Sequence, residues 1–109
     1  DLKGGKRVIS EQERQAVLEA ALQKWGEAAQ TDMCIEEMSE LTKALLKVRR
    51  LHVSMIGSEE HRNRIEAVRE EIADVQIMLD QMRILYGDPV EAENGKLERL
   101  QKRLKGGGV

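Results

Sequence analysis

The chain of 109 residues contains no Phe, one Trp, one Tyr, one Pro and one Cys. With aromatics so scarce, a core must be assembled from Leu, Ile, Val, Met and Ala. A single Cys excludes an internal disulfide and fits a reducing cytoplasm. There is little net charge: 18 Lys+Arg stand against 20 Asp+Glu, a formal charge of -2. That balance withholds the diffuse positive field on which phosphate-tracking nucleic-acid binders rely, so no nucleic-acid partner is expected. Long apolar runs are missing too, and no membrane partner is expected. What is abundant is helix-forming sequence. Ala, Glu, Lys, Leu and Arg fill about half of the positions, a composition that argues for long helices and against an all-β fold.

Glycine divides the chain into segments. Ser10 with Glu13 has capping-box spacing and opens a first helix to about Lys24 or Trp25, with Val17, Leu18, Ala21, Leu22 and Trp25 on one face. After Gly26, a second helix is predicted from Thr31 or Asp32 to about His52. Gly57 and Ser58 break and re-cap the chain for a third, Glu59 to Tyr86. Gly87-Asp88-Pro89 reads as stop, cap and first helical position, with Glu91 at capping distance. A last helix carries Leu97, Leu100 and Leu104, with an interruption expected at Asn94-Gly95. The expected architecture is all-α, an antiparallel bundle of four to five helices over 10–105, with flexible segments at 1–9 and 106–109.

Two residues are out of place on these helices. On a wheel at about 100° per residue with Met33 at zero, Ala44, Val48, Leu41, Cys34, Leu45 and Met38 occupy an arc of roughly 0° to 140°. Glu37 lies inside that arc, at about 40°, and Glu40 at its edge. In the third helix, Val68, Ile72, Val75, Met78, Leu79, Met82 and Tyr86 form the apolar face. Glu71 lies between Met78 and Met82, with Asp74 at the edge. Each long helix thus carries a carboxylate in its core-facing stripe and another at i+3. Such groups either reach out to solvent, pair with Arg and Lys of neighbouring helices, or surround a cation. For the last case, four oxygen donors favour a hard octahedral ion, Mg²⁺ or Mn²⁺ rather than Zn²⁺. A di-iron bundle would need ExxH, and neither His52 nor His61 follows a Glu at that spacing.

The segment Glu36-Glu37-Met38-Ser39-Glu40-Leu41, followed by Glu71-Ile72-Ala73-Asp74-Val75, resembles the EExxE…ExxD signature of the MazG-like all-α nucleoside triphosphate pyrophosphohydrolases. Lys24-Trp25-Gly26, Ala29-Gln30 and the Asn94-x-Lys96-Leu97-x-Arg99-Leu100 run are similar as well. The resemblance implies Mg²⁺-dependent hydrolysis of a nucleoside or deoxynucleoside triphosphate to monophosphate and pyrophosphate. It places Glu37, Glu40, Glu71 and Asp74 at metal-ligand positions. Glu36, on the wet side of the motif, is the candidate base for the attacking water. Lys43, Lys47, Lys96 and Arg99 are candidates for the phosphates. Trp25 and Tyr86 alone offer flat surfaces for a base, although Trp25 also fits simple core packing.

Ile35 and Leu46 on the second helix, and Ala73, Ile77 and Ile84 on the third, form a second apolar stripe on the back of each wheel. A small monomer has little to bury a second face against, which predicts a homodimer or homotetramer. The rival to the enzyme is a non-enzymatic helical interaction module in which the acidic stripe is only structural.

Overall fold

The computed structural model describes residues 7–106. Its four helices are α1 (Glu11–Trp25), α2 (Glu27–Arg49), α3 (Glu59–Tyr86) and α4 (Val90–Leu104), and a single 3₁₀ turn, Val53–Met55, links α2 to α3. Among the described residues there is no strand, and no helix is long and apolar enough to cross a membrane. The expected end segments fall mostly outside the described residues.

Helix α1 starts where its capping box predicts. The Ser10 Oγ accepts from the Glu13 amide at 3.1 Å, and the Ser10 amide donates to Glu13 Oε1 at 3.2 Å. The Arg7 guanidinium, 2.6 Å away, together with these cap bonds holds the Glu13 carboxyl below its usual range. Helix α2 begins at Glu27, four to five residues before the expected start. Gly26 adopts φ +92°, turns the chain in one residue, and its carbonyl already accepts from the Gln30 amide at 3.1 Å. Only glycine occupies that conformation cheaply, and Ala28 and Ala29 then propagate the helix immediately. The far end stops at Arg49 rather than His52, because the His52 ring turns back to accept from the Ser54 amide and caps the 3₁₀ turn.

The start of α4 differs from expectation as well. Pro89 is the N-cap and no side chain caps the helix, so the Asp88/Glu91 spacing is not a capping box here. Asn94-Gly95 continues the helix without interruption.

The centre of the fold is the antiparallel α2–α3 hairpin, with α1 laid against both. Leu18, Leu22, Cys34, Ala44, Val75 and Met78 form the buried apolar core. Within it, Gln30 Nε2 donates to Gln81 Oε1 at 2.7 Å, both side chains buried. This bond satisfies one polar group on each side of the α2–α3 seam and penalises any shift of register that would leave either unpaired. Arg14 forms an ion pair with Asp80 that pins α1 to α3. Val17 and Trp25, expected on the core face of α1, are 61% and 59% exposed. Val17 instead borders an open apolar hollow with Ile9, Leu18 and Ile77.

Helix α4 stands apart. It buries no residue, and an Arg83–Glu93 ion pair at 3.9 Å ties it to α3. Its apolar stripe Val90, Leu97, Leu100 and Leu104 is exposed, as are Ile35, Leu46, Ile77 and Ile84. The radius of gyration, 18.1 Å, well exceeds the roughly 13 Å of a compact domain of this length.

Candidate metal centre

Because α2 and α3 run antiparallel and bury Cys34, Ala44, Val75 and Met78 while Met38, Leu45, Ile72 and Tyr86 of the expected faces stay exposed, the acidic residues flanking that narrower core meet across the seam. Glu37 of α2 faces Glu71 and Asp74 of α3, and one carboxylate oxygen from each lies within 4.8 Å of the others. Glu37 and Glu71 are half-buried and Asp74 is exposed. The cluster is therefore at the rim of the core, open to one side.

Its electrostatics are unfavourable as it stands. Two unit charges at such a separation repel by about 3 kcal/mol at an effective dielectric of about 20. The Glu37 carboxyl is accordingly pushed above its usual range, first by burial, then by the charges of Asp74 and Glu71, and further by a hydrogen bond with Asp74 and the charge of Glu36. Glu71 Oε2 is buried without any hydrogen-bond partner. None of the three carboxylates takes part in an ion pair among the described residues, although Arg7, Arg14, Lys43, Arg64, Arg69 and Arg83 all do. Pairing with neighbouring cations therefore does not account for the cluster.

Glu40 is half-buried one turn along α2, and its Oε1 lies 3.4 Å from Lys43 Nζ. It is not among the converging three. It does share with Glu71 the wall of a cleft of about 510 Å³ between the C-terminal half of α2 and the N-terminal half of α3. Lys43 and Lys47 line the same cleft, with Glu60, Asn63 and Arg64 opposite. Glu36 is exposed beside Glu37.

The remaining candidates are elsewhere. Lys96 and Arg99 are exposed on α4 and line neither the cleft nor the acidic rim. The Trp25 ring sits at the α1 terminus under Lys24 Nζ, 5.3 Å from its centroid. Tyr86 is 71% exposed, its hydroxyl 3.3 Å from Thr31 Oγ1.

Two elements of the site escape a reading of single helices. Arg64 is locked in place: its Nε donates to Glu60 Oε1 at 2.8 Å and its Nη1 to the Lys47 carbonyl at 2.6 Å, crossing from α3 to α2. The Glu60/Arg64 spacing of i, i+4 was a visible signal for the first contact only. The Gln30–Gln81 bond had a fainter one: each Gln is seven residues from an acidic member of the cluster, Glu37 or Asp74, and so on the same stripe.

No family model matches the chain, and no curated protein or solved structure does either.

Proposed function

We propose that the protein is a Mg²⁺-dependent nucleoside triphosphate pyrophosphohydrolase, the activity implied by its MazG-like acidic motifs. The observation that carries this reading is the convergence of Glu37, Glu71 and Asp74 at the open rim of the α2–α3 seam, with Glu71 Oε2 buried and unpartnered.

The residues fit a divalent cation. Three carboxylates with no cationic partner among the described residues supply the all-oxygen donors that Mg²⁺ or Mn²⁺ prefers, and Glu40 stands one turn away as a fourth. The bound ion would neutralise triphosphate charge and make the α-phosphorus a better electrophile. In the reaction a water oxygen bonds to the α-phosphorus and the α–β bridging bond breaks. The bonding pair departs on pyrophosphate. Glu36, beside the cluster and in contact with solvent, takes the proton released by the water. Pyrophosphate needs little protonation to leave, so the site requires no separate acid. Lys43 and Lys47 border the cleft that continues from the acidic rim and suit its phosphates.

Lys96, Arg99 and Trp25 belong to the substrate site only if a second copy brings them there. The exposed stripe of α4 and the exposed Ile35, Leu46, Ile77 and Ile84 supply the surface for a homodimer or homotetramer, in a cytoplasmic setting consistent with the free Cys34. Sedimentation equilibrium in the low micromolar range is expected to give at least twice the 12.4 kDa chain mass. A monomer there would remove the oligomer from the proposal and leave Lys96, Arg99 and Trp25 without a role at the site.

The direct test of activity is pyrophosphate release from a panel of ribo- and deoxyribonucleoside triphosphates, with Mg²⁺ and with a chelator. Chelator-sensitive release from at least one of them is expected. No release from any triphosphate would favour the interaction module instead.

A further inference from the structure

The acidic rim lies between two hollows of opposite chemistry. On one side Met33, Ile77 and Met78 join Glu37 and Asp74 around an apolar hollow of about 210 Å³. On the other the cleft shared by Glu40 and Glu71 extends along the hairpin to Lys43, Lys47, Asn63 and Arg64. The order along α3 is therefore Ile77 and Asp74, Glu71, then Arg64. Seven residues of helix separate Glu71 from Arg64, an axial distance of about 10 Å. Lys and Arg side chains reach well into such a span.

We infer that the site has a fixed polarity: the terminal phosphates of the substrate lie in the cleft toward the α2–α3 loop, on Lys43, Lys47 and Arg64, and the nucleoside lies on the Met33 and Ile77 side. The inference rests on the proposed activity and adds the direction in which the substrate is threaded and the pyrophosphate released. Charge and polarity decide it. An apolar hollow offers nothing to a polyanion, whereas the far end of the cleft offers Lys43, Lys47, Arg64 and the Asn63 amide, with Glu60 there already engaged by Arg64. The side chains of Lys43 and Lys47 are exposed, Lys43 in a surface ion pair with Glu40 that a ligand can displace, whereas Arg64 is held by Glu60 and the Lys47 carbonyl. A guanidinium fixed in advance loses less freedom on binding an anion, and this places Arg64 as the anchor for the outermost phosphate.

Isothermal titration of the full chain with inorganic pyrophosphate, and separately with the nucleoside monophosphate of the best substrate (AMP if none is turned over), both in Mg²⁺, tests the polarity. The Lys43→Gln/Lys47→Gln double variant alters only exposed side chains and is expected to bind pyrophosphate about tenfold or more weakly, with monophosphate affinity unchanged. Met33→Gln is expected to do the reverse. Arg64→Lys, which keeps the charge but not the fork, should weaken pyrophosphate by a smaller factor. Failure of the wild type to bind pyrophosphate, an unchanged pyrophosphate affinity in the double variant, or an equal loss of both ligands would overturn the inference. Loss of pyrophosphate affinity in the double variant of a chain that hydrolyses no triphosphate would instead retire the proposed activity and keep the anion cleft.

Discussion

Glu37→Gln is expected to abolish Mg²⁺-dependent pyrophosphate release while the metal-free variant melts at the same or a higher temperature than the wild type. The two halves have one cause. Glu37 sits across the seam from Glu71 and Asp74, with their oxygens within 4.8 Å, and its charged form is disfavoured by burial and by both neighbours. Gln keeps the volume and a hydrogen bond to Asp74 but removes one negative charge, relieving the repulsion. The same change takes away a ligand from an ion expected to provide several kcal/mol of transition-state stabilisation. That corresponds to a rate loss on the order of a thousandfold. Glu71→Gln should behave alike, its amide able to donate to the neighbouring Glu37 or Asp74 carboxylate. Full activity in both variants, measured as pyrophosphate release under saturating Mg²⁺, would reject the metal centre. A large drop in melting temperature would instead assign the carboxylates to the architecture.

The second expected result concerns pH and metal together. Glu37 has a raised folded-state pKa, so between its unfolded and folded values the native chain binds more protons than the unfolded one. Metal-free stability is therefore highest below the unfolded value, with that advantage lost as pH rises through the folded value. Mg²⁺ should act in the opposite sense, binding once the carboxylates are ionised and stabilising most at the higher pH. At a hundredfold excess over its dissociation constant it would add about 2.7 kcal/mol, on the order of 10 °C in melting temperature. Thermal melts across this pH range, with Mg²⁺ and with chelator, measure both trends. A Mg²⁺ stabilisation that is the same at every pH, or that persists in the Glu37→Gln/Glu71→Gln double variant, would contradict the assignment.

Much of the architecture was legible because the punctuation is local. Ser10 with Glu13, Ser58, Gly26 and Gly87 mark helix ends by chemistry confined to a few residues, and the first and third helices lie where those signals put them. Local signals mislead where two backbone geometries share them. Gly26 signals a gap between helices but forms a one-residue joint, and Asp88 has the spacing of a cap although Pro89 is the N-cap and no side chain caps the helix. At the site, Glu37, Glu71 and Asp74 stood out as carboxylates within or beside apolar arcs, and two such arcs on antiparallel neighbours must meet. Glu40 stands at the edge of the same arc and at a ligand position of the resembled motif, but its side chain lies beside Lys43. Arg64 and Asn63 could not be found that way, since their importance comes from what faces them on α2. The places of Lys96, Arg99 and Trp25 depend on a surface that one copy does not close.

The joint at Gly26 bears on how the chain can assemble. The residues before it, Ala20-Ala21-Leu22-Gln23-Lys24-Trp25, and after it, Glu27-Ala28-Ala29-Gln30, all favour helix, so a single pair of backbone torsions separates a folded-back α1 from one unbroken rod. In the rod, Leu18 and Leu22 would leave their own α2–α3 hairpin and become available to another chain's. In an oligomer, intramolecular docking of α1 would compete with exchange of that helix between copies, and the backbone of one glycine would bear on the balance.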